Sequence, residues 1–168
     1  MKRMNLSLRV KLLALLLCAT AAHGQSVVFK SGDAGYAIYR IPAIVKAPGG
    51  DLLAFCEGRV NNGGDFGNID IVMKRSVDGG TSWSTLQIVI DADSLQAGNP
   101  APVVDLLDPQ YPGGRIFLFY NTGNNHEGEV RKGKGQRKVW DVTSVDNGKT
   151  WSAPTDISLQ VQIGRAHV

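Results

Sequence analysis

Arg40, Arg59 and Asp65 are the residues of this chain whose types and settings suit chemistry. Each stands at the end of a predicted strand or in the loop that follows one. An arginine at a strand end presents a planar fork of N–H donors that can hold a carboxylate through charge-assisted hydrogen bonds. Arg40 lies just ahead of Pro42, and proline within a strand belongs to an edge, where its missing N–H breaks no ladder. Asp65 sits in Asn61-Asn62-Gly63-Gly64-Asp65-Phe66-Gly67-Asn68, a run too rich in glycine and asparagine for regular structure. On such a loop a carboxyl group suits general acid catalysis if desolvation raises its pKa, and Phe66 is the neighbour expected to contribute. By residue type alone, such arginines more often make surface ion pairs and such an aspartate a turn.

The elements that must position these residues are strands. Ser76-Val77-Asp78-Gly79-Gly80-Thr81-Ser82-Trp83 recurs 68 residues later as Ser144-Val145-Asp146-Asn147-Gly148-Lys149-Thr150-Trp151. Each copy holds an Asp able to accept backbone N–H bonds, a Gly free to take positive φ and a Trp to anchor the departing strand, which is the chemistry of a tight turn. Around the first copy the sequence predicts strands at Ile38–Lys46, Leu52–Glu57, Ile69–Ser76 and Trp83–Ile90. Around the second it predicts Ala101–Leu107, Arg115–Asn121, Lys138–Ser144 and Trp151–Ser158. Four strands per repeat is the unit of a propeller blade, so the expected fold class is all-β. A blade buries its faces against its neighbours, so two blades by themselves leave apolar faces open and are expected to be poorly soluble or partly unfolded.

Other chemistries find little support. Between residues 25 and 162 the one histidine is His126, so neither a His-based triad nor a metal site is expected. Asp91-Ala92-Asp93 lacks the Gly and the closing Glu of a calcium loop. Gly133-Lys134-Gly135 lacks the strand and helix of a dinucleotide loop. Arg131, Lys132, Lys134, Arg137 and Lys138 fall between two strands and are interrupted by glycine, which predicts a solvated hairpin rather than a polyanion site. No cofactor is expected.

Residues 1–24 have the layout of a secretory signal peptide: Lys2, Arg3, Arg9 and Lys11, an apolar run from Leu12 to Ala22, and small residues before Gln25. The run is too short to span a bilayer, and Leu17 before Cys18 is larger than lipoprotein processing favours. Export with cleavage after Gly24, and a secreted or periplasmic location without membrane insertion, are therefore expected. Ile163-Gly164-Arg165-Ala166-His167-Val168 resembles a translated sequencing adapter, so residues 163–168 are read as an artefact and residues 25–162 as the front of a longer product. The net charge of +3 falls to −1 without the four leader cations and to −2 without Arg165. Net charge thus gives no reason to expect nucleic-acid binding. Cys56 then remains alone, with no partner for a disulfide.

Tyr39-Arg40-Ile41-Pro42, the following Phe55-Cys56-Glu57-Gly58-Arg59, and the two Ser-x-Asp-x-Gly-x-Thr/Ser-Trp boxes together resemble the exo-α-sialidases, from Val28 to about Ser158. The resemblance implies a six-bladed propeller, of which this chain is the first two blades, and a cofactor-free, retaining hydrolysis of terminal sialic acid from glycoproteins, glycolipids and oligosaccharides. It makes Arg40 the first of three arginines clamping the sialic acid carboxylate, Arg59 a substrate contact on the ring's hydroxyl side, and Asp65 the acid/base. Gly98-Asn99-Pro100 resembles the family's second-blade inner strand, which makes Asn99 a candidate substrate contact and leaves Asp105 structural; Met73 and Phe66 are further candidates for the pocket lining. The family's nucleophile is a tyrosine activated by a glutamate. A neutral phenol approaches an anomeric carbon that bears a carboxylate with less repulsion than a second carboxylate would meet. That tyrosine, its glutamate and two clamp arginines would follow residue 162. The same resemblance admits a trans-sialidase or a hydrolase of deaminated sialic acid. Asp boxes alone also admit a non-catalytic propeller that binds glycans or proteins.

One prediction follows from these missing groups. The 168-residue polypeptide should release no sugar from a fluorogenic sialoside, and turnover abolished by Asp65→Asn would contradict that expectation.

Overall fold

The computed structural model describes residues 25–161; the predicted leader and the 163–168 segment lie outside the described residues. Eight strands follow in order: β1 (Ile38–Lys46), β2 (Leu52–Arg59), β3 (Ile69–Ser76), β4 (Gln87–Ile90), β5 (Gln96–Asp105), β6 (Arg115–Gly123), β7 (Arg137–Ser144) and β8 (Thr155–Asp156). Of two single helical turns, α1 (Glu127–Val130) precedes β7 and α2 (Ser158–Val161) follows β8. Strands β1 to β4 pair antiparallel in sequence order, as do β5 to β8. One parallel bridge, Ile69 to Gln96, joins the two sets. The all-β expectation holds: these are two four-stranded blades, with β1 at the free edge of the first.

The alternation of side chains decides which faces meet. Along β6, Ile116, Leu118 and Tyr120 point into the core, while Phe117 and Phe119 lie on the other face, half-buried. There the two rings stack nearly parallel with centroids 5.7 Å apart. Ile116, Leu118, Tyr120 and Val142 pack on Leu53, Phe55, Ile71 and Met73 of the first blade, forming the core between blades. Strand β2 is buried on both faces. On its other side Cys56, with Val72 of β3, is covered by Tyr36 and Phe29 from the segment before β1.

The two boxes fold as tight turns with the same wiring. Asp78 accepts the N–H of Ser82 at 2.9 Å, and Asp146 accepts that of Thr150 at 2.9 Å. Ser76 and Ser144 hydroxyls accept the N–H of Gly80 and Gly148 at 2.7 and 2.8 Å, and both glycines take positive φ. Hydrogen bonds from Ser82 bring the Asp78 carboxyl down to about 2. The second box also reaches the first blade: Gly49 N–H donates to Asn147 Oδ1 at 2.6 Å, and Trp151 meets Phe55 edge to face at 5.9 Å.

Two strand boundaries differ from expectation for one reason. The fourth strand of each blade was expected to begin at the box Trp, but ordered pairing begins later, at Gln87 and Thr155. Ser84 and Ser152 donate their N–H to Arg75 and Thr143, yet the return bond is accepted by the serine hydroxyl, at 3.0 Å in both blades. A side chain thus takes the place of a backbone acceptor in the first rung. Strand β5 starts earlier than expected because pairing continues on both sides of a bulge at Asn99-Pro100. It stops earlier because Asp105 accepts the N–H of Leu107 at 2.9 Å and turns the chain.

Phe55 is fully buried at the junction of the blades. Phe55→Ala should lower unfolding stability by about 3–5 kcal/mol, whereas Val77→Ala, on the surface, should change it by less than about 0.5 kcal/mol. Paired denaturant titrations check the contrast, and equal effects would show that the interblade core does not carry the fold.

Candidate functional site

The edge strand β1 is kinked by a bulge between Arg40 and Ala43. Ile41, just before Pro42, takes a φ of +55°, a strained conformation for a β-branched residue that costs about 1–3 kcal/mol. The Cys56 thiol donates to the Arg40 carbonyl at 2.9 Å and ties the bulge to β2. Burial, with the charge of Glu57 adding to it, pushes that thiol up to about 12, so Cys56 acts as a hydrogen-bond donor and not as a nucleophile. The second blade repeats the bulge at Asn99, again before a proline and again at a φ of +55°.

Between these two bulges lies a cleft of ≈ 500 Å³, whose lining includes Arg40, Arg59, Asp65 and Asn99, the four residues expected from the sequence. Arg59 is buried, its side chain 4% exposed, and is held from two sides. Its Nε and Nη2 donate to Glu57 Oε2 at 3.0 and 2.6 Å. Its Nη1 donates to the carbonyls of Gly63 and Gly64 and to Asp65 Oδ1 at 2.6, 2.8 and 2.8 Å. The acid loop is therefore wound around a guanidinium. Arg40 Nη1 also donates to Asp65 Oδ1, at 2.8 Å. The rest of the Arg40 fork makes no hydrogen bond among the described residues, and its side chain is 45% exposed.

Asp65 differs from expectation. Its side chain is 78% exposed, not desolvated. The hydrogen bond and charge of Arg59, joined by Arg40, hold its carboxyl below the ordinary 3.8. Phe66 does not cover it; the Phe66 ring packs instead on His126, with centroids 4.9 Å apart. In this state Asp65 is a carboxylate, and its Oδ1 occupies the Nη1 donor of Arg40. Met73 lies in the core and Asp105 pairs with Arg115 at 3.4 Å, so neither belongs to the cleft.

Arg137 was assigned to a solvated hairpin and is instead part of the site. It opens β7, is three-quarters buried, and donates to Gln96 and to Glu127 of α1. The signal was in the strand register. Arg59 pairs with Ile69 in the first blade, and the corresponding pair in the second is Gly123 with Arg137. A Cβ at Gly123 would run into the Arg137 guanidinium, so the cation crosses from the neighbouring strand into space that glycine leaves. The other cations named with it do form a solvated hairpin: Arg131 pairs with Glu127 at 3.0 Å and Lys132 with Glu129 at 2.8 Å.

Residues 50–166 match the BNR repeat-like domain family. The chain belongs to that family. Its relatives are sialidases, as the Tyr-Arg-Ile-Pro strand and the Asp boxes implied. The exo-alpha-sialidase of Arthroderma benhamiae is 34% identical over 171 residues, which covers 83% of this chain and 40% of that protein. A solved structure of a Hadza microbial sialidase superposes with a TM-score of 0.64 at 28% identity, over 77% of this chain and 28% of that one. A Trypanosoma rangeli sialidase in complex with sialic acid shares the fold, with a TM-score of 0.62 at 21% identity over 82% of this chain and 25% of that one. The chain thus spans well under half the length of the sialidases it matches, and supplies the blades that carry Arg40, Arg59 and Asp65.

Removing a cation should raise the Asp65 pKa, by more for Arg59→Gln than for Arg40→Gln, because the Arg59 contact is the larger cause of its depression. The depressed value also fixes the sign of the linkage: the contact stabilises the fold above the ordinary carboxylate pKa and is lost as pH falls through the folded value. Carbon-13 NMR titration of the Asp65 carboxyl reads both effects, and a midpoint unchanged in both variants would contradict the assignment.

Proposed function

We propose that the whole protein to which this chain belongs is an exo-α-sialidase, a retaining hydrolase of terminal sialic acid on glycoproteins, glycolipids and oligosaccharides. The observation that carries the reading is the cleft in which Arg40 keeps a half-free guanidinium beside an exposed aspartate on a loop, within blades similar to those of sialidases. Residues 1–24, with their leader-like sequence, support a location outside the cytoplasm.

The chemistry follows from the Arg40 to Asp65 contact. A substrate carboxylate takes the donors of Arg40 in a fork and displaces Asp65 Oδ1. Asp65 then loses one of its two cations and gains an anionic neighbour, and both changes raise its pKa toward that of a working acid. Protonated Asp65 donates its proton to the glycosidic oxygen as the bond to the anomeric carbon breaks. In the second half-reaction it removes a proton from water, whose oxygen takes that carbon from the nucleophile. Two displacements leave the configuration retained. In this proposal a tyrosine and glutamate from beyond residue 162 form the nucleophile, as the family resemblance implies.

The whole protein should release sialic acid from a fluorogenic sialoside, with the α-anomer as first product by proton NMR. Asp65→Asn should lower kcat by about 10²–10⁴-fold for a substrate with a poor leaving group. Absence of any release from the whole protein, or an Asp65→Asn variant as active as the parent, would defeat the proposal.

A further inference from the structure

Glu57 is a buried carboxylate that joins the two blades at the cleft. Its side chain is 2% exposed. Oε2 takes the Nε and Nη2 of Arg59 from its own strand, at 3.0 and 2.6 Å. Oε1 takes the backbone N–H of Asn99 from the second blade, at 2.8 Å. The carboxylate needs room to reach that N–H. The residue before Asn99 is Gly98, where a Cβ would stand 2.6 Å from Oε1, closer than real contacts allow. The strand register places Gly98 where the first blade has Arg40, since Arg40 pairs with Glu57 and Gly98 with Asn121. One position thus presents a cation in the first blade and makes way for a carboxylate in the second.

A buried, singly charged carboxylate is costly unless its charge is matched and its lone pairs are used. Here Arg59 matches the charge and Asn99 uses the second oxygen. The consequence for the site is directional. With Nε and Nη2 fixed on Glu57, Nη1 of the planar guanidinium has one orientation left, toward Gly63, Gly64 and Asp65. Asn99, at positive φ and bonded through its N–H to the same carboxylate, also lines the cleft.

We propose that Glu57 is a positioning residue, acting through Arg59 on the acid loop and through the Asn99 N–H on the second-blade wall, so that Asp65 and Asn99 are set by one carboxylate. The proposal rests on the sialidase reading where it concerns turnover, and on geometry alone where it concerns the clip. Arg40 keeps an anchor of its own, the Cys56 contact behind its carbonyl. Loss of Glu57 therefore acts on the catalytic step more than on carboxylate capture.

The test uses the whole protein labelled with ¹⁵N. In the unmodified protein the Arg59 Nε–H and the Asn99 N–H should both exchange with solvent at least about tenfold more slowly than the Arg40 Nε–H, the scale set by one charge-assisted hydrogen bond. Glu57→Gln removes the negative charge and leaves one acceptor oxygen where Arg59 and the Asn99 N–H now have one each, and Gly98→Ala keeps every charge while pushing the carboxylate aside. Both should speed the two exchanges by at least about tenfold and lower kcat with little change in KM. Fast exchange of Arg59 and Asn99 in the unmodified protein overturns the clip, and does so whether or not the variants fold. Folded variants with wild-type kcat, or with KM raised and kcat kept, overturn the positioning role. An unmodified protein inactive on sialosides overturns the sialidase reading instead, while the exchange rates still decide the clip.

Discussion

The buried pair of Glu57 and Arg59 is the constraint on which the arrangement of this site depends. Two charges withdrawn from water repay their desolvation only when their remaining hydrogen-bonding capacity is also used. The chain meets that requirement by bringing two segments to the pair, the acid loop and the second-blade bulge. The turn at Gly63 and Gly64 offers carbonyls to Arg59, Asp65 offers a carboxylate, and the bulge at Asn99 offers an N–H to Glu57. The loop that carries the acid is thus ordered by polar contacts to a rigid strand, and little apolar burial holds it. Such a loop can move when a competing anion alters the contacts, which the proposed reaction requires.

Two blades with the same sequence pattern differ where it matters. Both have a bulge with a residue at positive φ before proline, at Ile41 and at Asn99. The first blade puts arginines at positions 40 and 59, and the second has glycines in the same places of the register, at 98 and 123. Those glycines leave the space that the Glu57 carboxylate and the Arg137 guanidinium enter. The cleft is a product of this asymmetry. Two identical blades would crowd four arginines around one pocket.

Much of this was legible in the residues, and the reasons differ by element. Strands β1 and β3 and the turns at the boxes came directly from β-branched runs bounded by Ser-x-Asp-x-Gly, because there the local chemistry and the fold agree. Arg40, Arg59 and Asp65, singled out by their strand-end or loop positions, and Asn99, singled out by the family resemblance, line one cleft. Arg137 was grouped with a solvated hairpin because its neighbours in sequence are solvated cations, whereas Gln96 and Gly123, which it meets in the fold, are distant in sequence. The protonation state of Asp65 escaped for a related reason. Phe66 is adjacent in sequence, but the side chains that set the pKa are Arg59 and Arg40, brought from two other strands. Glu57 was legible as a strand residue with polar neighbours, yet whether it orients an arginine or pairs elsewhere required knowing which blade faces each oxygen.

The central claim is that Arg40 is the seat of an anionic ligand and that Asp65 holds that seat in its absence. A crystal structure of the whole protein with sialic acid bound tests this most directly. The account predicts the ligand carboxylate in hydrogen-bond contact with the Arg40 guanidinium, Asp65 withdrawn from Arg40 and turned toward the anomeric oxygen, and Arg59 still seated on Glu57. A ligand bound elsewhere, or one in the cleft with the Arg40 to Asp65 contact intact, would contradict it.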